Sequence, residues 1–350
     1  MKNISNKISA VSLILMIMVI YLHSYNINTI KKVDDPIYIL SNFLQNLLSQ
    51  GLFRIAVPMF FIISGFLFFR NYKDISDYIS KIKNRIKSIL IPFIFWNLIV
   101  IFIYYIFQLF LLKSFSFNSI LIKDLGFWGI LNSIFVNPYN YPLWFLRDLM
   151  FVILLSPIIH IFILKIPKKF ISLLLLLWFI DIGGGANFYF FKSEVILFFS
   201  IGCYLSIYNI NITNRINFKS FIYLLIFYIV LINFKTYLFV IGEGNTTTES
   251  LILHKISILI GIYIFWYSSD YKWLDKFHLL KFTFLLYVFH EPLLSFSKKI
   301  GFIILGNNSI SSLILYFITP IFVIIILYLL GSFFKKYFPK LIYFMSGGRI

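Results

Sequence analysis

The stretch Ser309–Phe334 reads SISSLILYFITPIFVIIILYLLGSFF and contains no charged side chain. An α-helix rises about 1.5 Å per residue, so this stretch is long enough to cross a hydrocarbon layer about 30 Å thick. Uncharged blocks recur at Ile8–Leu22, Ile55–Phe69, Ser88–Leu112, Ile196–Ile212 and Ser220–Phe234. They are continuous rather than amphipathic, so no face is left for water. Over the 350 residues, 60% are hydrophobic and 13% charged, whereas a soluble domain carries about a quarter charged residues. The chain is predicted to be an all-α, polytopic integral membrane protein.

Helices are expected near 8–25, 55–70, 88–112, 145–164, 169–182, 193–209, 218–234, 251–268, 279–297 and 310–332, about ten crossings in all. Basic residues offer an independent check, because Lys and Arg concentrate in cytoplasmic loops. With the N-terminus inside, twenty of the 31 Lys and Arg fall on cytoplasmic segments. These include Lys2, Lys7, Arg70, Lys81, Lys83, Arg85, Lys87, Lys165, Lys168, Lys169, Lys335, Lys336, Lys340 and Arg349. Both termini are therefore expected in the cytoplasm. The transmembrane domain is expected over residues 1–335, followed by a short basic cytoplasmic tail over 336–350.

The net charge of +18 follows the same loop pattern and is no nucleic-acid signature. Cys203 is the single cysteine, which excludes an internal disulfide and a thiolate metal cluster. The run that follows Lys7 has no small-residue cleavage site and reads as an uncleaved first helix. The segment 71–87 looks like an interfacial amphipathic helix whose basic face would meet anionic lipid or an anionic cytosolic ligand. Gly183-Gly184-Gly185 reads as a turn between helices, since no strand precedes it.

Ionisable groups within a bilayer are costly, so each one is a candidate site residue. His23 lies in the outer half of the first expected helix and His290 in the outer half of the ninth, at comparable depth. Glu291 adjoins His290, Arg54 precedes the second expected helix, and Arg147-Asp148 opens the fourth. Histidine titrates near neutrality and suits general-base work on a hydroxyl. Guanidinium groups orient anionic or polyhydroxylated ligands. The structural alternative for Arg147, Asp148 and Glu291 is an interfacial residue reaching water. His160, His254 and His278 are assigned no role. The histidines lack metal-ligand spacing, so no metal is expected.

Five segments in order resemble the acyltransferase-3 family of bacterial membrane acyltransferases. They are MVIYLHS at 18–24, RIAVPMFFIISGFL at 54–67, KNRIKSILIP at 83–92 completed by Phe93 and Trp96, PLWFL at 142–146, and LYVFHEPLL at 286–294. One departure is Ser12, where the family commonly carries a basic residue eleven positions before the helix-1 histidine. The resemblance implies a multi-pass protein of the bacterial plasma membrane. It implies transfer of an acyl group, in most members acetyl from acetyl-CoA, to a hydroxyl of an extracytoplasmic or lipid-linked glycan. His23, His290 and Glu291 are the catalytic candidates. Arg54, Arg147, Trp144 and Ser64 are expected to bind the acceptor. Lys83, Arg85, Lys87 and Trp96 are expected to bind acyl-CoA, a co-substrate rather than a resident cofactor. Membrane lipid and polysaccharide-assembly machinery are the further expected partners, and nucleic acid is not. The competing class is non-enzymatic, a transporter, flippase or export component for a surface polysaccharide, in which the same His and Arg would bind cargo.

Overall fold

A computed structural model describes residues 2–32, 35–72, 75–111, 121–181, 192–212, 217–242, 247–268 and 282–349. Gly183–Gly185 and His278 lie outside these residues. Among the described residues there is no strand. Helix α1 spans Lys2–Ser24. Helix α2, Pro36–Gln45, runs through the turns Asn46–Gly51 and Leu52–Ile55 into α3, Ala56–Phe69. Helix α4, Ile75–Arg85, passes through Ile86–Leu90 into α5, Ile91–Leu111. The segments Asn46–Gly51 and Ile86–Leu90 are wide π-turns, a device that re-aims side chains and often marks functional positions.

Next come α6 (Gly126–Phe135), α7 (Trp144–Leu154), α8 (Ser156–Lys165), α9 (Pro167–Ile180) and α10 (Ser193–Ile207). The last five are α11 (Phe218–Ile241), α12 (Thr248–Ser268), α13 (Thr283–Leu305), α14 (Ser309–Tyr337) and α15 (Pro339–Met345). Six spans among the described residues are long and apolar enough to cross a membrane alone: Ile4–Thr29, Pro36–Phe69, Ser76–Phe110, Phe218–Ile241, Thr248–Ser268 and Ser309–Tyr337. The pair Tyr141–Leu154 and Ser156–Lys165, bent by 57°, makes a seventh if counted as one span. The other three expected crossings fall on α9, α10 and α13. The first two have 14 and 15 residues, and α13 carries Glu291, Lys298 and Lys299. The protein is all-α and multi-spanning, while length and composition do not establish the count of ten.

Three contacts fix the frame around the site. First, α3 and α10 cross backbone to backbone: a Cβ on Gly65 would collide with the carbonyl of Phe199, and one on Gly202 with that of Ile62. Small residues allow such approach where lipid supplies no hydrophobic drive between helices. Second, the C-terminal end of α1 is tied by buried polar groups. Gln45 donates to Ser312 Oγ at 2.9 Å and accepts from the backbone N–H of Asn26 at 3.0 Å. Ser24 Oγ donates to the carbonyl of Tyr316 at 3.0 Å. Third, residues after α14 do not trail away. Trp96 Nε1 donates to the carbonyl of Met345 at 2.9 Å, and Gly347 and Gly348 take φ of 62° and 81°. Those left-handed angles favour glycine and turn the chain back beneath α5.

Candidate active site

Helix α13 contains Pro292, which has no N–H to give to the carbonyl four residues earlier. The orphaned acceptor, Val288 O, instead receives Asn140 Nδ2 at 2.7 Å. Asn140 is held in turn by Asn97, whose Oδ1 accepts from the Asn140 backbone N–H at 3.0 Å. Tyr287 Oη donates to the carbonyl of Pro142 at 2.6 Å. The helix turn bearing His290 and Glu291 is thereby clamped to the segment just before α7.

His290 is wholly buried. Its Nδ1 lies 2.9 and 2.8 Å from the carbonyls of Leu286 and Tyr287, so Nδ1 carries a proton and donates. Nε2 has no partner. The ring of His23 sits 5.2 Å from that of His290, centroid to centroid. His23 Nδ1 is 3.2 Å from Glu291 Oε2, and Ser295 Oγ donates to Glu291 Oε1 at 3.0 Å. Lys298 Nζ donates to the backbone carbonyl of His23 at 2.7 Å. A carboxylate at Nδ1 fixes the imidazole tautomer and leaves Nε2 as a base.

His23 also lines a cavity of about 370 Å³. Along α1 the cavity follows Ser12, Met16, Val19 and His23, about 16 Å of helix at 1.5 Å per residue. Its lining near His23 includes Arg54, Tyr141 and Trp144, with Phe145 and Tyr287 as apolar wall. Towards the face with most basic residues the lining includes Arg85 and Arg349. Arg349 Cζ lies 4.2 Å from the Phe284 ring centroid. Burial, and then the neighbouring Arg85 charge, pull Arg349 down to about 10. The outcome is an elongated cavity with His23, backed by Glu291, at one end and two guanidinium groups at the other.

A family model described as an acyltransferase domain matches residues 8–329. The chain belongs to the acyltransferase-3 family. It is 29% identical over 212 residues to the succinoglycan biosynthesis protein ExoH of Rhizobium meliloti, a match covering 60% of this chain and 56% of that protein. The chain thus spans little more than half the length of that relative. No solved structure matches it.

In this acyltransferase-3 chain the expected site residues divide. His23, Arg54, Ser64, Arg85 and Trp144 line the cavity, and so does Ser12. Glu291 and His290 sit behind His23 rather than on the cavity wall. Arg147 is turned to protein groups: Nε donates to Asp148 Oδ1 at 2.8 Å and Nη1 to the carbonyl of Val136. Asp148 Oδ2 also meets Lys192 at 2.9 Å. Trp96 is buried against Met345, while Lys83 and Lys87 are exposed on the helix surface. None of these four lines the cavity. Tyr141 and Arg349 do, yet neither stood out in sequence: one belongs to a short polar connection and the other to a basic tail.

Sequence spacing offers no metal-ligand pattern. The fold nevertheless brings one potential ligand atom each from His23, His290 and Glu291 within 4.8 Å of one another. Glu291 already accepts from Ser295 and pairs with His23, which favours proton handling over metal coordination. His160 stacks on Phe69 with centroids 5.5 Å apart, a packing role. His254 lies 2.8 Å from Lys235 Nζ, in a separate polar cluster.

Proposed function

We propose that this protein, seated in the bacterial plasma membrane, transfers an acyl group from a cytosolic acyl thioester to a glycan hydroxyl on the opposite face. The donor reading is acetyl-CoA. The observation that carries the proposal is the cavity that joins Arg85 and Arg349 to the His23–Glu291 pair. Two guanidinium groups at the basic mouth suit a polyanionic nucleotide. About 370 Å³ is near the small end of ligand sites. It has room for a thin thioester arm while the nucleotide stays at the mouth.

His23 Nε2 takes the proton of the acceptor hydroxyl as its oxygen attacks the thioester carbonyl carbon. The C–S bond breaks, and the departing thiolate recovers the proton from the imidazolium. Glu291 stabilises the transient imidazolium, and Arg54 offers its guanidinium to the oxyanion. Thioester and alcohol become ester and thiol. A glycan as acceptor draws support from the relative named for succinoglycan biosynthesis and from Arg54 and Tyr141 at the end of the cavity far from the basic mouth.

The test is His23→Ala with mass spectrometry of surface glycans. Loss of glycan O-acylation at normal protein level is expected. Retained O-acylation removes His23 from the chemistry.

A further inference from the structure

Arg54 borders a second cavity. This one, about 240 Å³, is formed with Asn46, Gln50, Lys235, Thr236, Ser250 and His254. Its walls come from the last two turns of α11 and the first two of α12, the helix ends remote from Lys219 and Trp266. It therefore lies at the acceptor end of the protein, and Arg54 is common to it and the reaction cavity.

The hydrogen bonding here is lopsided. Lys235 is only 6% exposed. It donates to the Gln50 carbonyl and lies 2.8 Å from His254 Nδ1. With Nδ1 accepting from the ammonium, His254 presents Nε2 as a donor. Arg54 Nε donates to Gln50 Oε1 at 2.9 Å, so both oxygens of Gln50 are occupied by cations. Asn46 Oδ1 accepts from Tyr25 Oη at 3.1 Å. The hydroxyls of Thr236 and Ser250 donate to the carbonyls of Ile232 and Thr247, at 2.7 and 2.9 Å. Among the described residues no carboxylate is in ion-pair contact with Lys235 or Arg54; the buried Glu194 attracts Arg54 from outside this cavity. A neutral sugar needs acceptors for its hydroxyl protons as well as donors. The Thr236 and Ser250 oxygens keep lone pairs for a ligand hydroxyl, but the charged groups of the cavity, Lys235 and Arg54, are both donors. A buried ammonium such as that of Lys235, with no carboxylate against it, is costly.

The geometry points to a subsite for the carboxylate of an acidic sugar on the acceptor, gripped by Lys235, Arg54 and the imidazole of His254. It deepens the acyl-transfer reading and rests on it for the word acceptor. The cavity has room for one monosaccharide-sized group. A carboxylate bound there would set its sugar beside Arg54, with a hydroxyl of the same or the adjoining residue presented to His23.

The experiment is calorimetric titration of the full-length protein in lipid nanodiscs with glucuronate, glucose and glucose 1-phosphate. Glucuronate is expected to saturate and to bind at least tenfold more tightly than glucose. Lys235→Met is expected to weaken glucuronate at least tenfold, and Lys235→Arg to retain it. Equal binding of glucose and glucuronate, or binding of neither, overturns the subsite. Tighter binding of glucose 1-phosphate than of glucuronate overturns the carboxylate assignment. Wild-type discrimination among the three probes decides the matter even if Lys235→Met fails to fold. None of these readouts involves catalysis. Retained acyl transfer in His23→Ala would defeat the functional reading and leave the titration intact.

Discussion

His23 and Glu291 come from opposite ends of the chain and meet with Nδ1 3.2 Å from Oε2, behind a cavity that His23 alone of the two lines. That arrangement separates their roles. In the proposed reaction His23 touches the reacting groups, and Glu291 acts through it as a positioning residue. Glu291→Gln keeps the shape and removes the charge that stabilises an imidazolium. Its kcat is expected to fall about 10²–10³-fold, within the range of general acid–base contributions. KM for the donor is expected to stay within a factor of about three. Steady-state O-acylation kinetics in membranes check this; a donor KM that rises in step with the loss of kcat would give Glu291 a binding role instead.

At the other end of the cavity, Arg85 and Arg349 are like charges brought together by the fold-back after α14. Such a pair is stabilised by an anion. Arg349→Ala is expected to raise the donor KM about tenfold, near 1.4 kcal/mol, with little change in kcat. Arg85→Ala is expected to act in the same direction. A matching loss for a short acyl thioester lacking phosphates would show that the arginines do not read the nucleotide.

The reach of sequence reading follows from what each residue costs. His23, His290, Glu291 and Arg54 are legible because a polar group within an apolar block demands a purpose. The long uncharged blocks are legible as spans for the same reason. Arg349 and Tyr141 sit in segments where polar residues are ordinary, and only the chain reversal at Gly347 and Gly348 and the Asn140 clamp bring them to the cavity. Arg147 had the same sequence signal as Arg54. Its neighbour Asp148 is 1% exposed and engages its guanidinium, which a linear pattern does not reveal. The crossing count is obscured by α9 and α10, which are short, and by charges carried on α13. Pocket-lining lysines outside the first cavity are hidden in sequence as well, since Lys235 looks like an outer-loop cation until its burial is seen.

The convergence of His23, His290 and Glu291 within 4.8 Å invites a metal test. The proton-relay reading expects activity to survive exhaustive dialysis against EDTA, with less than a twofold change. Loss of activity that zinc or another divalent ion restores would replace the relay with a metal-bound centre.

The α3–α10 crossing yields a stability prediction independent of the chemistry. A side chain at Gly202 must meet the carbonyl of Ile62, and backbone has no rotamer with which to yield. Gly202→Val is expected to separate the helices and lower stability by about 1–3 kcal/mol, as overpacking does in other cores. Helix α10 also packs on α7, whose Trp144 and Phe145 line the cavity, so the displacement is expected to reduce transfer as well. Thermal unfolding in detergent, monitored by buried tryptophan fluorescence, measures the first effect. Gly129→Val is the control: the three atoms nearest a Cβ there all belong to the Leu125 side chain, at 3.0 Å and beyond, and none to the backbone of a neighbouring helix. Equal destabilisation by the two substitutions would mean that close backbone approach is not what holds α3 to α10.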